Sequence, residues 1–573
     1  MRWTVIDNEP SPKFPIYGRG NMGEVYPNVM TPLTGSLVHL AARHGQEAAL
    51  LGLGFLSRSH IDDSDGGASG VFGGYLYGNL SMMRVGAARA PGMSAADVDE
   101  QMFGVSDAPA YVARPDDRSL RCTLKLGRRT ARALFRPARG VAERDRASAA
   151  AWITSLSKLA EASDQELVDI ARALPPRFEE MMARLLYVSA LAGFSRAVLE
   201  QLTSSFDDPD VVNQLTAGLG TIESAEPAFE LWKISRLVSD SAALTALFDA
   251  GVDGLATRLT DTDDASDFRS AFEQFRSRFG SRGPDEWELA SSTWATDPEI
   301  ALAAIDRLRH APIERDPERA SRRLASTRAE VTAKALRRLR GPRRMLFRRA
   351  LDAAAIYAAT REATKATFVR CLEPTRLALH ELARRHDLER TDLFLLTIDE
   401  LPRFLAAPEG FLEVIAERRA TRDFLQDRVP PFWFEGELPP PTSWLQRSAQ
   451  RQVDTAPRTL SGMGVCSGVA TGTARVITDP ASPGELEPGD ILFAPITDPA
   501  WTPLFLAVAG VVVDVGAQLS HAAIIARELG IPAVVSVAGA SSTIADGALV
   551  TVDGTNGTVT IHPVSRGGPR CWP

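Results

Sequence analysis

Along the chain the spacing of apolar positions changes three times, and each change predicts a different kind of structure. Up to about residue 120 the apolar runs are short and broken by Gly and turn residues, as in "GVFGGYLYGNLSMM" (Gly70 to Met83). That texture predicts irregular α+β structure. From about 145 to 425 apolar residues return every three or four positions. "DQELVDIARALPPRFEEMMARLLYVSALAGFSRAVLEQL" and "RMLFRRALDAAAIYAATREATKATFVRCLEPTRLALHELARRHDL" both do so. They predict long amphipathic helices, able together to bury a sizeable core.

The helical period stops near Arg428. "VPPFWFEGELPPPTSW" (Val429 to Trp444) follows, and its five prolines favour extended, semi-rigid chain. Beyond it the period shortens again. "GVATGTARVI", "DILFAPI", "AGVVVDV", "AVVSV", "ALVTVDG" and "GTVTIH" read as short strands, with one helix around Ser520 to Leu529. The predicted organisation is a helical domain over 1–428 with an irregular N-terminal part, a proline-rich linker over 429–455, a small α/β domain over 456–563 and a tail over 564–573.

Composition narrows the class. The 573 residues are 45% hydrophobic and 24% charged with a net charge of −8, ordinary for a globular protein. No overall basic excess argues for nucleic acid. The N-terminus lacks a signal-peptide core, and no apolar run reaches the roughly 20 residues that span a bilayer. Cys122, Cys371, Cys466 and Cys571 are scattered without a C-x-x-C pair. The expectation is a cytoplasmic chain with no metal site and no membrane partner. His380, His386 and the other histidines away from position 521 show no ligand spacing and read as structural. The arginine-rich run from Lys334 to Arg349 reads as a solvated helix face that can also dock a partner subunit.

The candidate chemistry begins at "GAQLSHAAIIARELGIPAVV" (Gly516 to Val535). His521 opens an alanine-rich helix that stops at Gly530-Ile531-Pro532, and Ser520 is a plausible N-cap. Free N–H groups and the positive end of the helix dipole suit a phosphate there. They also keep the imidazole neutral and nucleophilic near pH 7, fit to act as a covalent carrier.

The longer string "DPAWTPLFLAVAGVVVDVGAQLSHAAIIARELGIPAVVSV", with "GVCSGVATGTARVI" and "LEPGDILFAPITDP" before it, resembles the mobile phosphohistidine domain of the phosphoenolpyruvate-utilising enzymes. The likeness is nearest to members such as rifampicin phosphotransferase and phenylphosphate synthase. It implies a swivelling domain whose phosphorylated histidine is His521. Two positions depart from the family pattern: Ala517 replaces its second glycine, and Leu519 replaces the threonine often found two before the histidine. Regulation by phosphorylation at 519 is therefore not expected.

Earlier stretches resemble the same family's acceptor domain. These are "NMGEVYPNVMTPLTGSLV" (Asn21 to Val38), "FGSRGPDEWELASSTWATDP" (Phe279 to Pro298), "REATK" (Arg361 to Lys365) and "DLFLLTIDEL" (Asp392 to Leu401). Arg282 can present a planar fork to phosphate, and Glu286 can orient it or act as base, though a structural Arg–Glu bridge explains the pair as well. Asn21, Glu24 and Thr31, in a proline-broken loop, and Arg361 and Glu362, on a long helix, are further candidates for binding substrate or phosphate. Loop scaffolding and an interhelical salt bridge are the alternatives for these two groups.

No nucleotide-binding loop is visible, and neither an ATP-grasp domain nor a phosphoenolpyruvate-binding barrel is recognisable. The expected protein is the acceptor-side component of a two-part phosphotransferase. A separate ATP-grasp partner, using ATP and Mg2+, would charge His521, and the acceptor would be a small organic alcohol or phenol. The rivals are a non-catalytic regulatory protein that kept the fold and a phosphoenolpyruvate-using enzyme with a detached barrel.

Overall fold

The two longest apolar repeats become two long helices packed against each other, Pro175–Thr203 (α4) and the 45-residue Gly341–Arg385 (α9). In this computed structural model, residues 5–563 are described except 62–65, 91–93, 97, 100–108, 111, 155–158, 209, 221, 263–264, 448–456, 481–483, 485 and 519. Phe178 near the start of α4 meets Phe368 in the second half of α9, with ring centroids 3.8 Å apart. Leu199 near the end of α4 shares a core with Phe347 at the start of α9, so the two run antiparallel. Composition would let the stretch 164–203 cross a bilayer. Here α4 carries Phe178, Met182, Leu185 and Leu191 into the core instead.

Shorter helices surround this pair: Gly20–Val25 (α1), Leu40–Leu53 (α2), Leu120–Phe135 (α3), Glu226–Ser239 (α5), Ser266–Phe279 (α6), Pro298–Arg309 (α7) and Pro317–Arg338 (α8). Several begin where the sequence dictates. Asp297 and Asp316 each accept a backbone N–H two residues on, and each precedes a proline at the first helical position. The N-terminal α+β part is an antiparallel sheet of Ile16–Gly18 (β1), Ser69–Phe72 (β2), Tyr75–Asn79 (β3) and Trp433–Glu435 (β4), in the order β2-β3-β1-β4.

Strand β4 comes from the proline-rich segment, which corrects the expectation of a tether over 429–455. Tyr17 faces Phe434 in register. Phe434, 5% exposed, packs among Tyr17, Phe72 and Tyr77 at centroid distances of 5.1–5.4 Å. Trp444 is also buried, and its indole N–H donates to the Pro439 carbonyl at 2.9 Å. The prolines forbid helix but leave an edge strand free to form, and the aromatic residues then supply the burial. Chain up to Arg447 therefore belongs to the first domain. The last part of the expected linker, 448–456, and the tail, 564–573, lie outside the described residues, as does Leu519.

The small domain is one eight-stranded mixed sheet. Its strands are Arg458–Ser461 (β5), Met463–Cys466 (β6), Val469–Val476 (β7), Ile491–Ala494 (β8), Gly510–Val513 (β9), Ala533–Val535 (β10), Leu549–Asp553 (β11) and Thr558–Ile561 (β12). The order is β5-β12-β11-β7-β8-β9-β10-β6, with β7, β8, β9 and β10 parallel and the remaining pairs antiparallel. Helices Thr502–Ala507 (α10) and His521–Leu529 (α11) cover one face. That face is not free. Trp501, Leu504, Phe505, Ile525 and Leu529 join a single apolar core with Trp232, Phe268, Phe275 and Ile305 of the helical domain.

Because Phe434 closes the N-terminal sheet from a distant part of the chain, Phe434→Ala should destabilise the helical domain by about 3–5 kcal/mol. Denaturant unfolding monitored by tryptophan fluorescence checks it. An unchanged midpoint would mean that β4 is peripheral.

Candidate active site

The helix that begins at His521 is held by local chemistry. Ser520 caps it, its hydroxyl accepting the Ala523 N–H at 3.3 Å. Gly530 ends it in the left-handed region at φ 68°, where a Cβ would be strained. Gly516 lets the entering chain pass close to β10, since a Cβ there would lie 2.9 Å from that of Val535. Ser520 is thus a cap, and its hydroxyl is occupied by the helix.

The imidazole is 5% exposed and faces the helical domain. Its Nε2 lies 3.2 Å from the Thr502 hydroxyl. Its backbone N–H donates to Glu24, across the seam between the domains. Burial, and then the charges of Lys365, Arg282 and Arg361, push its pKa well below the ordinary value. The ring is therefore neutral and surrounded by cations. Burial raises the Glu24 carboxyl, while Lys365, the His521 N–H and Arg361 oppose that rise.

Arg282 and Glu286 meet as expected. Nε of Arg282 lies 2.6 Å from Oε2 of Glu286, both side chains being fully buried. The contact is an ion pair and not an aligned hydrogen bond. Nη2 of Arg282 and both Glu286 oxygens have no hydrogen-bond partner among the described residues. Buried polar atoms are rarely left so, and ordered water or a ligand is what completes them. Arg361 pairs with its neighbour Glu362 along α9. Burial alone would raise the Glu362 carboxyl, but Arg361, Lys365, Ser224 and Arg282 hold it below the usual range.

Thr31 takes the scaffolding role that was the alternative for its loop. Its hydroxyl donates to Glu288 at 2.7 Å and it is 1% exposed, so it braces the 285–290 loop instead of facing the histidine. Thr34 makes the same grip on Glu288 at 2.6 Å. Asn21, in α1, is partly buried, three residues before Glu24. His380 and His386 stand away from this cluster, packed against Phe394 and Phe404. Among the described residues no group of His, Cys, Asp and Glu could hold a metal ion.

Three site residues were not singled out from the sequence. Lys365 is one turn beyond Arg361 and on the same face of α9, a spacing that could have revealed it. Thr502 is the first residue of α10, and Asp498 lies in the segment before it. Oδ2 of Asp498 accepts the Asp285 N–H at 2.8 Å, a second bond across the seam. Glu528, on α11, accepts the Leu219 N–H at 3.4 Å as a third. Beside these bonds a narrow cleft is lined by apolar residues such as Ala192, Ile222 and Ile524 and by the charged Arg196, Arg361, Glu362, Arg527 and Glu528. A polar cavity of about 290 Å³ between Arg196, Asp210 and Gln518 leaves the seam incompletely closed.

Two parts of the chain match known families. Residues 184–362 match the one described as "Rifampicin phosphotransferase fourth domain", and residues 486–557 match "PEP-utilising enzyme, mobile domain". The chain is similar to the prodigiosin synthesizing transferase PigC of Serratia marcescens, 32% identical over 367 residues, which are 62% of this chain and 40% of that protein. It is similar to a rifampicin phosphotransferase of Streptomyces sviceus, 29% identical over 450 residues, 74% of this chain and 49% of that one. It also resembles the uncharacterized phosphotransferase YvkC of Bacillus subtilis, 29% identical over 352 residues, 59% and 41% of the two chains. The chain spans less than half the length of each of these relatives. The resemblance to the phosphoenolpyruvate-utilising enzymes is thus shown, and the α/β domain that carries His521 matches their mobile domain.

Two of the seam carboxyls titrate in an accessible range. Burial, together with the charge of Glu286, pushes Asp498 up to about 7, and burial pushes Glu528 up to about 7. A solvated carboxyl titrates near 4, so the docked state binds protons that the undocked state releases. The contribution of these two carboxyls to docking should be fully present below about pH 4 and lost as pH rises to about 7, while His521, which must shed its proton to dock, opposes docking at acid pH. Energy transfer between dyes on the two domains should report this. Asp498→Asn with Glu528→Gln should remove the carboxyl contribution, and a profile unchanged by these substitutions would contradict the assignment.

Proposed function

We propose that this chain is the transfer half of a phosphotransferase, in which His521 carries a phosphoryl group and passes it to a hydroxyl held by the helical domain. The observation that carries this reading is a neutral imidazole at a helix N-terminus, buried among Arg282, Arg361 and Lys365. Phosphoryl transfer needs positioning and charge stabilisation more than covalent help. Three fixed cations and the helix N–H groups can share the charge on the phosphoryl oxygens.

The acceptor oxygen forms a bond to phosphorus while the P–N bond breaks, and the ring nitrogen keeps the electron pair. The hydroxyl proton passes to a carboxylate, for which Glu24 and Glu286 are the candidates, and one proton returns to the ring to restore the neutral imidazole. Burial raises the Glu24 carboxyl, which makes it a stronger base than a solvated one. We take the acceptor to be a small organic alcohol or phenol, whose hydroxyl would have to reach His521 between Arg282, Glu286 and Glu24.

The phosphoryl source is a separate ATP-grasp protein using ATP and Mg2+. His521 is buried in the docked pose, so recharging requires the small domain to leave the helical one. The proposal draws on the names of two relatives, both phosphotransferases, while the name of PigC warns that transferases of other products share this architecture. The non-catalytic rival gives no reason for a neutral histidine at a helix N-terminus facing a buried Arg282–Glu286 pair. The rival with a detached phosphoenolpyruvate barrel leaves the contacts of His521 with the helical domain without a purpose.

His521→Ala should fold and dock normally but accept no label from an ATP-grasp donor and labelled ATP. Lys365→Met should still be charged, with an acid-labile, base-stable label, yet transfer to the hydroxyl should fall on the order of 10²-fold. Full labelling of the His521 variant would overturn the carrier. Unchanged transfer by the Lys365 variant would remove that lysine from the site.

A further inference from the structure

Two stretches of the chain hold cations and no carboxylate. Arg118 to Ala142 has eight Lys and Arg, and Val331 to Leu351 has eight more. Fourteen of the sixteen are arginine. Without them the chain would carry 48 basic against 72 acidic side chains, so the modest net charge conceals an acidic body with a basic region.

The fold joins the two stretches. The first forms α3, whose inner residues Cys122, Leu126, Ala133 and Leu134 are buried while Arg121, Lys125, Arg128 and Arg132 stand outward. The second is the end of α8 and the first turns of α9, where Arg340, Arg343, Arg344 and Arg348 are exposed. Leu134 and Phe347 share one core, and Arg139 pairs with Asp352 at 3.0 Å, one turn beyond Arg348. Neutralisation is sparse. Arg338 reaches Asp207 only at 3.6 Å, and Arg121, Arg128, Arg132, Arg343, Arg344 and Arg348 have no ion pair among the described residues. Large apolar side chains stand in the same field: Leu120 is 76% exposed, Leu124 64% and Met345 52%.

We propose that this face docks the protein on the anionic surface of a lipid bilayer. Like charges held this close repel one another, and an anionic surface relieves that cost. Guanidinium forks match phosphate oxygens, and cations within a Debye length act together. The exposed leucines choose between anionic partners. Leu120 and Leu124 are one helical turn apart among the arginines, where they can enter the headgroup and acyl boundary. A nucleic acid backbone offers such aliphatic side chains nothing to contact. The expectation of no membrane partner rested on the lack of a spanning segment, which surface docking does not need.

The test is co-sedimentation of the full chain with vesicles of phosphatidylcholine alone, or with about one-third phosphatidylglycerol, at low and high salt. Binding is expected only to the anionic vesicles and should weaken with salt. The triple variant R343Q/R344Q/R348Q, at exposed positions, should bind on the order of 100-fold more weakly, at roughly five-fold per charge. L120S/L124S should lose about ten-fold or more while keeping its salt dependence. Circular dichroism verifies that each variant is folded. Equal binding to neutral vesicles, no binding to anionic ones, or indifference to the arginine variant would overturn the proposal. So would RNA that displaces the protein from vesicles and binds L120S/L124S undiminished, which would assign the face to nucleic acid.

Discussion

An imidazole buried among three cations does not take up a proton, and most of this structure serves that constraint. The helix N-terminus contributes partial positive charge, and Arg282, Arg361 and Lys365 contribute full charges. Such a site is a poor home for a cation and a prepared one for an anion. In the docked pose the nearest anion is the Glu24 carboxylate, which accepts the first N–H of the helix. A phosphoryl group on the ring would occupy the same electrostatic hollow. Glu24 and that group therefore compete for one helix end, and the carboxylate must shift or take a proton when the phosphoryl group arrives. Arrival of the anion is coupled in this way to a proton on the residue best placed to handle the acceptor's hydroxyl proton.

The seam between the domains is built from two materials with opposite demands. Trp501, Leu504 and Phe505 bury apolar surface against α5 and α7, which favours docking without regard to angle. Glu24, Asp498 and Glu528 each grip one backbone N–H across the boundary, which fixes the angle but costs desolvation of a carboxyl. Hydrophobic contact alone would leave the histidine imprecisely aimed. Carboxylate contacts alone would hardly hold. Together they give an aimed contact that can still open.

How much of this was legible depended on the range of the signal. Local periodicity marked α4, α9 and the small domain, and the motif around His521 marked the carrier, because each is encoded by neighbours in sequence. Arg282 and Glu286 were legible as a pair, four residues apart in one turn-flanked stretch. The partner of Thr31 was not, because Glu288 is more than 250 residues away. Lys365 closes the same stretch as Arg361, one turn on, but a lysine at that spacing on a long helix is indistinguishable in sequence from a solvated one. The proline-rich segment misled for a physical reason. Proline excludes helix but is compatible with an edge strand, and only the distant aromatic cluster around Tyr17 decides between a strand and a free tether.

That last point bears on how the proposed transfer would work. With Arg447 tied to the first domain by its N–H to Asp427 at 2.9 Å, the small domain begins at β5 after only ten more residues. Fully extended, that length spans about 35 Å at most. The histidine therefore cannot travel freely to a remote donor. It can turn about a short strap anchored beside the N-terminal sheet, exposing the same apolar face that α10 and α11 now bury. A donor must then come to that strap and offer cover for Trp501 and Phe505, because leaving them in water would draw the domain back to its acceptor. The restraint favours the acceptor pose by default, and the donor's own surface, together with the charge placed on His521, has to shift the balance.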